Sequence, residues 1–107
     1  MNIAPMITLD QLLPCLHSDF IAHTSGGPVT LVLDEALELP RRGLPPSFRT
    51  PLSLILGGPA LPLLEEGYFV LEHARLGRLE WYLWPIAAAF PARAEDAGRQ
   101  RYQVSFS

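Results

Sequence analysis

The stretch Gly67-Tyr68-Phe69-Val70-Leu71-Glu72-His73-Ala74-Arg75-Leu76-Gly77-Arg78-Leu79-Glu80-Trp81-Tyr82-Leu83-Trp84 decides the fold class. Residues 68–73 and 79–84 have the length and the aromatic and β-branched content of strands, and 74–78 joins them. Gly77 supplies the positive φ that a tight hairpin connection needs. Within the second strand Leu79, Trp81 and Leu83 share one face, and Glu80, Tyr82 and Trp84 share the other. Bulk on both faces means that the outer one is either covered by a loop or used in a contact. Pro85 is expected to end the ladder.

Working outward, the same grammar recurs. Phe20, Ala22 and Thr24 alternate with Ile21 and His23 up to the turn cluster Ser25-Gly26-Gly27-Pro28. Val29, Leu31 and Leu33 then share a face, and Leu37 and Leu39 keep its parity. Asp34-Glu35 interrupts that face, which predicts a β-bulge or bend there. A short strand over 52–56 is expected to stop at Gly57-Gly58-Pro59. At the C-terminal side Tyr102, Val104 and Phe106 point one way, and Arg101, Gln103, Ser105 and Ser107 the other. Between these runs lie a proline-rich loop (40–51), an apolar loop (60–67) expected to lie on the core as a lid, and an alanine-rich then charged stretch (86–100) that reads as loop or a marginal helical turn.

Ahead of the strands, Thr8-Leu9-Asp10-Gln11 is a capping box. Leu9, Leu12, Leu13 and Leu16 follow at helical spacing, and Pro14 keeps the helix short or kinks it. Two turns of helix do not stand alone, so this one should cover an open end of the strands that follow. The order is therefore one short N-terminal helix and about six strands in antiparallel hairpins. Strands do not alternate with long helices, which excludes a doubly wound parallel sheet. The expectation is a mainly β protein: a small, partly open antiparallel β-barrel, in element order a variant of the Sm-like and SH3-like barrels. It forms one domain over 1–107, with the helix in 8–17 and the barrel in 18–107.

The hairpin Gly67-Tyr68-Phe69-Val70-Leu71-Glu72-His73 with Leu76-Gly77-Arg78-Leu79-Glu80, the opening Thr8-Leu9-Asp10 and the closing Tyr102-Gln103-Val104-Ser105-Phe106 resemble a family of short bacterial proteins of unknown function. Its signature is a G-x-Y-x-L-E-H…L-G hairpin, and here Tyr68 and Phe69 exchange the aromatic and variable places. The resemblance covers most of the chain. It implies no catalytic or ligand residues, and, since some members are encoded near phage-tail-collar-like proteins, it implies a phage-tail association.

Composition narrows the function classes. The 107 residues are 49% apolar and 18% charged, enough apolar side chain for a core and too much for a disordered segment. All eight basic residues are arginine, against eleven carboxylates, for a formal charge of −3. Such a balance argues against a phosphate-backbone partner. The pair Arg41-Arg42 reads as a solvated loop tip. Cys15 is the single cysteine, so an internal disulfide is excluded, and a lone thiol suits a reducing compartment. The first residues lack the basic start and apolar run of a signal peptide, and 79–90, the most apolar stretch, is too short and too charged for a membrane helix. A cytoplasmic protein is the expectation.

Candidate chemistry is sparse. His17, His23 and His73 lack the spacing that brings two imidazoles to one metal, even with Glu72 nearby; His73, beside the hairpin turn, is expected to bond backbone. Cys15 and His17 should point to different sides, so they make no nucleophile–base pair. Glu65-Glu66 read as solvated charge, and Glu72 and Glu80 as cross-strand partners of Arg75 or Arg78. Without lysine there is no phosphate-binding P-loop. Catalytic, metal and cofactor residues are accordingly none, and no enzyme is expected. What remains is the outer aromatic set Tyr82, Trp84 and Tyr68, of residue types enriched where proteins meet. The preferred function is an interaction or assembly module that forms a homo-oligomer or docks on a protein partner. A single-stranded nucleic-acid binder and a small-ligand pocket at the barrel mouth are the alternatives.

Overall fold

A computed structural model describes residues 7–40, 43, 51–86 and 99–106. Of the stretch 86–100, read as loop or helical turn, 87–98 lie outside them, as does most of the proline-rich loop. Ile86, Arg99 and Gln100 are strand residues, because the β5 and β6 ladders run further than the alternation alone shows. The elements are α1 (Leu9–Leu12), a 3₁₀ turn (Leu13–Cys15), β1 (Asp19–Thr24), β2 (Gly27–Glu38), β3 (Leu52–Pro59), β4 (Gly67–His73), β5 (Gly77–Ile86) and β6 (Arg99–Phe106). All strand pairs are antiparallel and close in the order β1-β2-β3-β6-β5-β4. The protein is thus mainly β, a six-stranded barrel with one short helix, and it closes fully where a partly open barrel is the sequence expectation. Two three-stranded meanders meet along two seams. β3 pairs with β6 over eight residues, and β1 pairs with β4 over Ile21–His23 and Val70–Glu72. Closure removes free edges, which are a liability in a small open sheet.

Local chemistry sets each element. The capping box forms as its residues demand: the Gln11 N–H donates to Thr8 Oγ1 at 3.3 Å, and the Thr8 N–H donates to Gln11 Oε1 at 2.9 Å. Pro14 then turns the α-helix into the tighter 3₁₀ form. Leu12 and Cys15 are fully buried in the barrel core, so the helix caps the end where β1 begins. His17 takes a positive φ of 64° and ties the helix down, its N–H donating to the Leu33 carbonyl at 2.7 Å. β1 and β2 turn over Ser25-Gly26, and β4 and β5 turn through Gly77, whose φ is +79°. The register of β2 on β3 shifts between Leu33 and Glu35, so the bulge falls at Asp34, where the charged residue breaks the apolar parity.

Two strand ends differ from expectation. β3 does not stop at Gly57 but continues through Gly57 and Gly58 to Pro59, paired with Arg101, Gln100 and Arg99 of β6. A Cβ on Gly57 would come within 2.5 Å of Asp34 Oδ2 and closer still to the Arg99 guanidinium, and one on Gly58 within 2.5 Å of Leu31 Cδ2. These glycines let side chains cross close over the strand; they do not end it. Pro85 likewise stays in the ladder, opposite Tyr102, and β5 ends at Ile86. β4 begins opposite Leu83, so at Pro85 the strand has a neighbour on one side only, where a missing N–H is tolerated.

Inward residues form one cluster, led by Phe20, Leu31, Leu33, Leu54, Leu71 and Tyr102. The lid is half as expected. Leu64 is buried, its N–H donating to Tyr102 Oη at 3.0 Å, while Leu61 and Leu63 stay 81% and 53% exposed. Among the described residues no helix is long and apolar enough to cross a membrane.

Candidate functional site

The parity of β5 puts Trp81 and Leu83 in the core and turns Tyr82 and Trp84 outward, both half-buried. β4 sets Tyr68 directly opposite Tyr82, and Tyr68 is 71% exposed. The Tyr68 and Tyr82 rings meet edge to face with centroids 5.0 Å apart, and Tyr82 and Trp84 follow at 6.2 Å. Ring pairs in this range are worth about 0.5–1.5 kcal/mol beyond area burial. The three residues singled out by sequence therefore form one continuous outer ladder. Leu64 of the lid turns inward onto Tyr102 and away from this surface. The residue of that connection that reaches the ladder is Glu66, which accepts a short hydrogen bond from the Tyr82 hydroxyl. That bond, with desolvation and the Glu66 and Tyr68 charges, holds the phenol above its usual pKa, so Tyr82 stays a donor.

Sequence reading missed Glu66, because a carboxylate before a glycine turn gives no local sign of a partner sixteen residues away. It also missed the ion pairs that join β6 to the β2 bulge. Arg99 and Asp34 lie 3.5 Å apart across Gly57, and Arg101 and Glu35 lie 3.2 Å apart. Two glycines in the middle of a strand were the available signal for the first.

Beside Tyr68 a groove of about 500 Å³ opens between the β1–β2 turn and the lid, lined by His23, Ser25, Pro62, Leu63, Tyr68 and Phe69. His23 also meets Glu72 at 3.2 Å, so Glu72 pairs with an imidazole on β1, although Arg78 stands opposite it on β5. Among the described residues, no group of three or more His, Cys, Asp or Glu side chains gathers to hold a metal ion. Cys15 is buried, with Sγ 3.5 Å from the Gln11 carbonyl, and His17 is exposed.

His73 is the polar residue inside the capped end, 8% exposed. Its Nδ1 accepts from the N–H groups of Arg75 at 3.0 Å and Leu76 at 3.2 Å, which leaves Nε2 to carry the proton. Nε2 donates to Ser18 Oγ at 2.7 Å, and the Ser18 hydroxyl donates to the Cys15 carbonyl. Burial, and then the charge of Arg75, push the His73 pKa below 6.5. The ring stacks on Phe20 at 4.4 Å. This is a neutral, fully bonded imidazole that closes a turn and holds the helix, as its place beside the hairpin suggests.

Residues 7–106 match the model of DUF6916, a domain of unknown function. No curated protein and no solved structure matches the chain.

Proposed function

The chain belongs to the DUF6916 family, and from its geometry we propose a non-enzymatic assembly module that self-associates through the Tyr68–Tyr82–Trp84 face. The observation that carries this reading is the ladder itself: three large aromatic rings in a row on the outside of a closed barrel, each next to the following one, with Tyr68 71% exposed. A ring that only supported the fold would gain more from burial, whereas Tyr and Trp at contacts supply rigid area at low entropic cost. Leu63 extends the apolar surface across the adjoining groove. The exposed carboxylates Glu65, Glu66 and Glu80 share this surface, which favours a protein partner over a nucleic-acid strand. A role in a phage-tail-like structure, which the family resemblance implies, belongs to the same proposal.

Light scattering over a dilution series tests it. Wild type should show a mass above 11.9 kDa that falls on dilution. Trp84→Glu and Tyr68→Glu should be folded monomers. A wild type that is monomeric throughout, with a Trp84→Glu variant that unfolds, overturns the reading, because Trp84 then belongs to the core.

A further inference from the structure

The proline-rich segment between β2 and β3 has no role in the proposal so far. Residues 39–51 read Leu-Pro-Arg-Arg-Gly-Leu-Pro-Pro-Ser-Phe-Arg-Thr-Pro. They hold four prolines, three of the eight arginines and no carboxylate, in a chain whose overall charge is −3. Segments of this composition are what aromatic-lined surfaces recognise: a Pro-Pro pair favours polyproline II, whose flat faces pack on Tyr and Trp rings at small entropic cost. Arginine adds a planar guanidinium that stacks on aromatic faces and pairs with carboxylates.

The ladder offers the matching surface. Tyr68, Tyr82 and Trp84 line up with centroid spacings of 5.0 and 6.2 Å, close to half and two-thirds of the ~9 Å turn of a polyproline II helix. Glu80 precedes Tyr82 by two residues on the same face of β5, and Glu65 and Glu66 stand at the end of the ladder beside Tyr68. Charge is therefore complementary, with cations and prolines on the segment and carboxylates and rings on the face. The residues that anchor the segment and the ladder lie in different parts of the molecule. The Leu39 N–H donates to the Pro51 carbonyl at 2.8 Å, which ties the base of the segment at the barrel end where β2 stops and β3 starts. The ladder lies towards the other end, where β4 starts and β5 stops.

We infer that the aromatic ladder of one copy takes the Arg- and Pro-bearing segment 40–51 of a second copy. The inference rests on the self-association proposed above and names its contact. The contact joins two different patches, so it yields reciprocal dimers or closed rings according to the rotation it imposes.

Complementation between full-length variants tests it. One variant carries Arg41→Ser, Arg42→Ser, Pro45→Ala and Pro46→Ala; the other carries Tyr68→Glu, at a position exposed enough to spare the fold. Each alone should self-associate roughly a hundredfold more weakly than wild type, the scale of a lost hot spot. An equimolar mixture should recover a complex, because one partner keeps its ladder and the other its segment. A segment variant that associates like wild type while Tyr68→Glu does not would overturn the inference and leave the ladder as the interface. A mixture that stays monomeric would overturn it as well. So would a monomeric wild type whose tryptophan emission shifts red in the segment variant, since the segment then packs on its own ladder.

Discussion

The two ends of the barrel are closed by different chemistry. At the helix end the plug is continuous: Leu12 and Cys15 enter the core, Phe20 stacks on His73 at 4.4 Å and faces Trp81 at 5.6 Å, and Trp81 meets Phe106 edge to face at 5.6 Å. Each polar atom named there has its partner, from the Arg75 N–H through His73 and Ser18 to the Cys15 carbonyl. At the lid end one side chain, Leu64, goes in, pinned by the Tyr102 hydroxyl, while Leu61 and Leu63 remain outside beside a groove. Apolar side chains stay exposed at both ends, Leu13, Leu37 and Leu39 beside the helix and Leu61 and Leu63 on the lid, and those of the lid adjoin the start of the aromatic ladder. The ends differ in the plug itself, which is continuous at one and a single lid side chain at the other.

Deleting the ring at the centre of the plug should do the most to break this contrast. Phe20→Ala is expected to destabilise the fold by about 3–5 kcal/mol, as large-to-small changes in a well-packed core do. Urea unfolding would show it, and a loss below 1 kcal/mol would mean that the helix end is not the stable one. Tyr102→Phe should cost less, about 1–3 kcal/mol, by leaving the Leu64 N–H without its acceptor. Its signature is local: hydrogen exchange at Leu64 should speed up while the His73 turn keeps its protection. Equal acceleration at both ends would contradict their independence.

The third and smallest effect is a pH dependence confined to the plug. His73 binds its proton less readily folded than unfolded, so the unfolded chain protonates first as pH falls. Stability should be full above pH 6.5 and decline as pH drops from there through the lowered folded value. Arg75 is the charged group that adds to this; Phe20 and Ser18, which pack on the ring from the other side, carry no charge. His73→Asn retains a carbonyl acceptor for the Arg75 and Leu76 N–H groups and should flatten the decline. Unfolding titrations at pH 7.5 and 5.5 make the comparison, and identical slopes for the two proteins would assign the effect elsewhere.

Much of this architecture is legible in the sequence because its signals are local. Gly77 and Ser25-Gly26 announce their turns, Asp34 announces the bulge, and alternation along 79–84 sorts Trp81 from Tyr82 and Trp84. Pairings between strands far apart in the chain carry no such mark. Nothing local tells β3 to choose β6 or β1 to close on β4, so the closed seam is visible only in three dimensions. The same limit governs the site. Its aromatic members follow from parity, whereas the grip of Glu66 on Tyr82 comes from a connection whose path the sequence does not fix. Gly57 and Pro85 misled for a related reason: residues that punctuate isolated strands are used here where a side chain crosses or a neighbour is missing.

The crossing over Gly57 has a consequence for how β3 finds its place. The inward residues of β3 are Leu52, Leu54, Leu56 and Gly58, so sliding the strand by two positions keeps leucine on leucine at two places. The core registers the error at the glycine, where a leucine would run into Leu31 or, slid the other way, Leu56 would be replaced by glycine. The Asp34 bulge and Arg99 check the same register on the outer face, because their ion pair closes only over a residue without a side chain. Shifted by two, the strand would offer Ile55 or Pro59 at that spot, and the clasp would not shut. A contact of modest energy thereby acts as a key that accepts a single alignment of an otherwise repetitive strand.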